Sequence, residues 1–405
     1  MKALDDITVL ACEQWEAGTT ATEPMAFMGA TVIMCEAPGR GQVGRTARPT
    51  YKAGVDTFYH IYLTMNKKSI TLNLQNPKGV EIFKEIAKKA DIVHDNLGPG
   101  TMDRLGVGYE ALKKVNPRLI VSTIKGFGQG PYEKYFCMDG VAQAVGTSYS
   151  MTGFPDKPPI SPGVSLGDTG TGMFSLGAIL AAIHQRRITG EGQFVEVAMA
   201  ECSMNYNRAN YALRQAEKDP LFQGPPIPRA GSTLPGVAPY NIYKTMDSAD
   251  KDNYMMIIAR EQKQWNALLQ VIGRDDLIGN PKYRDCWTRW QNVAEVDKMI
   301  EDWTSKRSAS ECFNVLAQAG VPASITLNST QMMNDPHFMQ REIVLELDHP
   351  HRGKYKTMGC VQRLSDNPIQ YGTGPLLGEH NAEIFGRYLG YTHLELAKLV
   401  AEGII

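Results

Sequence analysis

No stretch of the sequence approaches the roughly 18 apolar residues a membrane-spanning helix needs. Nor is there an excess of one charge. With 42 basic and 43 acidic side chains the net charge is −1, which argues against the basic face of a nucleic-acid binder. Cysteine pairs at metal-ligand spacing are missing too. Cys12, Cys35, Cys137, Cys202, Cys286, Cys312 and Cys360 are odd in number, widely spaced and without a CxxC, so neither a zinc site nor a disulfide framework is expected. The histidines are scattered, and His349 and His351 flank Pro350 rather than forming a helical HExxH, so no metal is predicted. The opening Met1-Lys2-Ala3-Leu4-Asp5-Asp6 is acidic and lacks an apolar segment, so no signal peptide is expected. Reduced thiols and the lack of a signal point to the cytoplasm.

What is present is ordinary globular composition, 43% hydrophobic and 21% charged over 405 residues. That excludes a disordered or fibrous chain and allows two or three domains of about 100–200 residues. Short β-branched or apolar runs at 7–12, 31–35, 69–74, 91–96, 119–124 and 194–199 alternate with helical spacings at 20–29, after Pro77, and at 173–187. Such alternation predicts parallel strands with helical crossovers, an α/β fold. Residues 218–240 are rich in Pro and Gly and read as a linker. A second module follows, with a strand at 254–258, helices at 262–273, 293–305 and 309–320, and a strand near 322–327. The segments expected are 1–217, linker 218–240, a small domain 241–330, and 331–405. No internal repeat or low-complexity tract is visible.

Three local patterns carry chemistry. Gly39-Arg40-Gly41-Gln42-Val43-Gly44 has GxGxxG spacing after a strand. The residues that follow, Arg45 to Pro49, do not read as the helix a dinucleotide fingerprint requires. A glycine loop is favoured, with Arg40, Arg45 and Arg48 either solvated or near a phosphate-bearing ligand. Gly167-Asp168-Thr169-Gly170-Thr171-Gly172 precedes a long apolar helix. Asp168 is either the N-cap of that helix or a carboxylate nucleophile whose neighbouring glycine N–H groups form an oxyanion hole. Asn96 and Lys125 follow predicted strands, where a parallel sheet lines its ligand crevice.

Taken together, these pieces resemble the class III CoA-transferase family, the formyl-CoA:oxalate and carnitine CoA-transferases. The match runs along nearly the whole chain: Ala17-Gly18, Met28–Ile33 and Glu36, Asn66-Lys67-Lys68-Ser69-Ile70, Ala90–Val93, Asn96-Leu97-Gly98-Pro99-Gly100, Gly126–Pro131, Gly167-Asp168, Thr189–Gln193, Pro375–His380 and Leu389-Gly390-Tyr391. The resemblance implies a large Rossmann-like domain with a parallel sheet, completed by the returning C-terminal tail. It also implies a smaller inserted α+β domain and two interlocked chains, either a homodimer or a heteromer with a homologous subunit. Asp168 matches the family's nucleophile, which forms first an acyl anhydride and then an aspartyl-CoA thioester. CoA-binding positions carry over as Asn96, Arg104 and Lys125, with Lys68 and Arg45 as further candidates. Acyl-CoA enters as a substrate; no metal and no permanent cofactor are implied.

The chain departs from the family pattern in places. Glu16 stands where many members have Gln, and Leu97 where many have Phe, which weakens adenine stacking. A tetraglycine lid is missing from 225–245. Glu16, Asp139 and Met138 are expected beside the substrate. α-Methylacyl-CoA racemases share this fold but need a His directly before an Asp, where this chain has Met138-Asp139; Met138 cannot move a proton. A non-catalytic subunit of a heteromer is the other alternative. Arg208 and Arg214 are candidates to meet a carboxylate, and Met25, Met28, Met138 and Met151 to line a roomy apolar pocket, although surface and core positions are the commoner use. With such a pocket, an aromatic or branched acid fits better than oxalate, succinyl-CoA and an arylsuccinate being one pair.

Overall fold

The computed structural model describes residues 2–47, 52–216, 218–219, 229–247 and 253–405. Arg48 and residues 220–228 of the Pro/Gly-rich linker lie outside them. The chain divides into two units: Met1–Ser148 with Gly163–Tyr206 and Pro336–Ile405, and Tyr149–Pro162 with Asn207–Asp335.

The larger unit is built on six parallel strands: β1 (Thr8–Cys12), β2 (Thr31–Glu36), β3 (Lys68–Thr71), β4 (Ile92–Asp95), β5 (Ile120–Lys125) and β6 (Phe194–Ala198), in the spatial order β3-β2-β1-β4-β5-β6. β1 is central and pairs with β2 through Leu10↔Ile33 and with β4 through Leu10↔Val93. Side chains alternate across a strand, so a central strand covered on both faces is apolar throughout. Val9 and Ala11 face a layer containing helices α1 (Ala17–Phe27) and α4 (Asp168–Thr189), through Met25, Leu176 and Ile179. Leu10 and Cys12 face the opposite layer, made by α2 (Pro77–Ala87) and the tail helices α5 (Asn381–Leu389) and α6 (His393–Ala401). The tail is sealed into this layer by Phe385, Ile404 and Ile405, and the Asn73 N–H donates to Ile404 O at 2.8 Å.

The predicted elements are present with shifted ends. α2 begins at Pro77 under an Asn76 side-chain cap. α4 begins at Asp168, five residues before the run expected at 173, and ends at Gly190 with φ 81°. Two further helices, Met199–Tyr206 and Arg208–Ala216, follow β6, and the division between the units falls between them.

In the smaller unit β7 (Tyr240–Lys244), β8 (Tyr254–Ile258) and β9 (Ala323–Ile325) form an antiparallel sheet. It packs on helices Gln262–Val271, Val293–Thr304 and Ala309–Gln318 through Trp265, Leu268, Ile300 and Leu316. Back in the larger unit, a hairpin the sequence reading missed joins β10 (Val344–His349) to β11 (Gly353–Met358). No helix among the described residues is long and apolar enough to cross a membrane.

Candidate active site

In the order 3-2-1-4-5-6 the chain leaves β1 in one direction and β4 in the other, which opens a crevice at the carboxyl ends of these strands. The residues just past them are Glu13 to Glu16 and Asn96 to Pro99. Asn96 bolts the two loops together: its Oδ1 accepts from the Gln14 N–H at 2.8 Å and its Nδ2 donates to Gln14 O at 2.7 Å. A Cβ on Gly18 would lie 2.7 Å from Asn96 Oδ1, which explains the glycine. Below the loop, Lys67 is fully buried and binds Glu13 Oε1 at 2.6 Å, Thr22 Oγ1 at 2.8 Å and Thr19 O at 3.0 Å. This anchors the entry to α1.

The crevice deepens into a cavity of about 490 Å³. Asp168 lines it, together with Trp15, Tyr59, Lys125, Phe136 and Asp139 among others. Asp168 is the first residue of α4; Gly167 is the N-cap and supplies no side-chain cap. The N-cap reading is therefore corrected, since the Asp168 carboxylate accepts no capping hydrogen bond and faces the cavity instead. Two N–H groups beside the carboxylate are already engaged. The Asp168 N–H donates to Asp139 Oδ1 at 3.1 Å and the Thr169 N–H to Ser165 O at 2.9 Å. The glycines serve close packing: a Cβ on Gly170 would stand 2.3 Å from the Tyr206 hydroxyl, and one on Gly172 2.8 Å from Ala17 O.

Glu16, directly before α1, reaches Asp168's neighbourhood from the other side. It accepts hydrogen bonds from the hydroxyls of Thr169 and, at 3.4 Å, Tyr59. Asp139 begins α3 (Asp139–Val145) and also accepts from Gln143 Nε2 at 2.7 Å. Burial first, then the charges of Glu16 and Asp139, push Asp168 up to about 7. Both effects disfavour its anion. Burial, followed by the Glu16 and Asp168 charges, also raises the Tyr59 phenol, so it stays a proton donor. Cys137 on the same wall is raised to about 11, by burial and then by Asp168 and Asp139, and remains a thiol.

The other predicted residues divide. Lys125 lines the cavity, its ammonium held by Asp95 Oδ1 at 3.0 Å and Leu97 O at 2.9 Å. Arg104 faces an adjoining cavity of about 650 Å³ that shares Lys125 and Phe136. Leu97 lies between the 490 Å³ cavity and a third one of about 920 Å³ that Arg40 and Arg45 line. Met138 is exposed at the rim. Arg45 is buried on a short 3₁₀ turn, Val43–Thr46, and all its guanidinium nitrogens are engaged, by Glu36 at 2.7 Å, Asp56 at 2.8 Å and Pro375 O at 3.2 Å. Lys68 stands on the edge strand and binds Glu383 at 2.5 and 2.7 Å. Met25 and Met28 are core residues. Arg208, Arg214 and Met151 belong to the smaller unit. Sequence reasoning missed Gln14, Trp15, Tyr59, Tyr135 and Phe136 on the cavity wall, because no motif marks them. Among the described residues no group of three or more His, Cys, Asp or Glu side chains could hold a metal ion.

The family model of CoA-transferase family III matches residues 4–381. A protein named formyl-CoA:oxalate CoA-transferase from Streptomyces coelicolor is 35% identical over 411 residues, covering 100% of this chain and 99% of its own. One of the same name from Rhodopseudomonas palustris strain BisA53 is 34% identical over 417 residues, covering 100% and 97%. A solved CAIB/BAIF family protein from Brucella suis superposes with TM-score 0.82 at 28% identity, covering 96% of this chain and 99% of its own.

Proposed function

Because this chain belongs to CoA-transferase family III, we propose that it moves CoA from an acyl-CoA donor to a carboxylic acid acceptor, with Asp168 as the covalent nucleophile. The observation that carries the reading is a half-buried carboxylate with no hydrogen-bond partner among the described residues, facing a cavity and raised to about 7. A desolvated, basic carboxylate is a better nucleophile than one fully hydrated or salt-bridged.

The steps follow from the chemistry. An Asp168 oxygen attacks the thioester carbonyl, the C–S bond breaks, and CoA leaves as thiolate with an aspartyl acyl anhydride behind it. The thiolate then attacks the Asp168 carbonyl, expelling the donor acid as carboxylate and forming an aspartyl-CoA thioester. The acceptor carboxylate attacks this thioester, and the returning thiolate attacks the acceptor's acyl carbon, regenerating Asp168. Each step exchanges one activated acyl group for another and needs no net proton. Tyr59, a protonated phenol at the cavity wall, can donate to developing oxyanions.

In this reading Lys125 and Arg104 meet the CoA phosphates, Asn96 holds the loop that cradles it, and Trp15, Tyr59, Tyr135 and Phe136 pack against a bulky acid. An aromatic or branched acid fits such a wall. Two chains pair, as a homodimer or with a homologous subunit, which light scattering and co-purification would establish, and the protein works in the cytoplasm. Met138 at the rim offers no proton, which counts against racemisation.

The test is a panel of acyl-CoAs followed by hydroxylamine and peptide mass analysis. A hydroxamate on Asp168, with some donors only, is expected. Tight CoA binding with no adduct from any donor would overturn the covalent reading and leave the non-catalytic subunit.

A further inference from the structure

Which acid the site accepts can be argued from its charges, given the proposed chemistry at Asp168. Three carboxylates converge there, and the groups that meet them are hydroxyls and amides rather than cations. Glu16 is held by Thr169 and Tyr59, and Asp139 by the Asp168 N–H and Gln143. The one cation on the cavity wall among the described residues, Lys125, is already bound to Asp95 and Leu97 O. Trp15, Ile124, Tyr135, Phe136 and Met199 give the wall an apolar and aromatic stretch, beside the amides of Gln14 and Asn96.

We propose that Glu16 is a specificity-determining residue, which makes the site select acids bearing one carboxylate on an apolar or aromatic body and reject short dicarboxylates such as oxalate. When the acceptor arrives, Asp168 is esterified to CoA and uncharged, but Glu16 and Asp139 remain. The attacking carboxylate loses its charge as it becomes an anhydride. A second carboxylate one bond away does not, and it must stay within the field of both acids. The penalty falls as the second charge moves away, so malonate and succinate should be rejected less than oxalate. One further like charge at about 5 Å, at an effective dielectric of about 40, is worth roughly tenfold in rate.

The experiment uses the full chain with a donor that labels Asp168, and compares kcat/KM for phenylacetate, succinate, malonate and oxalate. Wild type should prefer phenylacetate to oxalate by about a hundredfold or more, for two residual charges, with the other two acids in order of spacing. Glu16→Gln should narrow the oxalate gap by about tenfold. If that variant does not fold, the spacing series in wild type decides by itself. Oxalate used as well as phenylacetate, or a gap unchanged in Glu16→Gln, would overturn the inference while leaving a labelled Asp168, and so the transferase reading, intact. Failure of every donor to label Asp168 would remove both.

Discussion

Two groups of carboxylates sit at the carboxyl rim of the same sheet, and they are treated in opposite ways. At the end of β2, Glu36 receives Arg45 in a bidentate pair, and Asp56, Ser69 and the Gln42 N–H close the group. Every charge there has a partner, and Arg45 is 4% exposed. Beyond the end of β1, Glu16, Asp139 and Asp168 meet without a cation among the described residues, and the Asp168 carboxylate has no hydrogen-bond partner among them. The first arrangement holds a loop in place. The second leaves a half-buried carboxylate with its anion disfavoured, as expected of a site organised to react rather than to stabilise.

Breaking the reactive group should have the largest effect. Asp168→Asn removes the nucleophile but keeps its shape, and should reduce CoA transfer by about a thousandfold or more, read as steady-state kcat with CoA binding measured separately. Retention of activity within tenfold would place the chemistry elsewhere. Breaking the paired group should instead unfold the protein. Arg45→Ala leaves Glu36 buried without its counter-ion, a change that costs about 3–5 kcal/mol, so a large fall in denaturation midpoint is expected. A stable Arg45→Ala with a raised KM for acyl-CoA would return Arg45 to the ligand site the sequence reading gave it.

The comparison also predicts a pH profile. Asp168 is raised from 3.8 to about 7, and in the proposed mechanism only its anion attacks. kcat/KM should therefore climb as pH rises and level off above about 7. The same shift makes folding stability fall as pH rises through that value, because the folded state holds the proton more tightly than the unfolded chain. Glu16→Gln removes a like charge, so the acidic limb should move to lower pH by up to about one unit. A limb that stays put would mean that burial and Asp139 set it without Glu16.

Much of the fold was legible because apolar periodicity is local. Pro77 at a helix start was readable from a single residue. α4 was read as starting late because Gly170 and Gly172 weaken helix propensity; their reason, the closeness of Tyr206 and Ala17, is tertiary. The β10–β11 hairpin was missed because its strands are short and mix Glu, Asp and Lys with apolar residues. In the site, Asp168 was readable by resemblance, but its surroundings were not. Glu16 and Thr169 are 153 positions apart, and Tyr59 lies in no recognisable motif. The charge cluster exists only once the sheet has brought these segments together.

The smallest effect is expected at Lys68, the first residue of β3 and next to buried Lys67 in sequence. Lys67 sits under the site at 0% side-chain exposure; Lys68 pairs with Glu383 at 29% and 44%. A partly exposed pair of this kind contributes about 0–1 kcal/mol. Lys68→Ala should shift the denaturation midpoint by no more than that, and should leave the KM for acyl-CoA within about twofold, since twofold is roughly 0.4 kcal/mol. A tenfold rise in KM would show that this ammonium leaves Glu383 for a CoA phosphate. An existing ion pair would then not remove a rim lysine from function, and Arg45 would need to be judged again on the same terms.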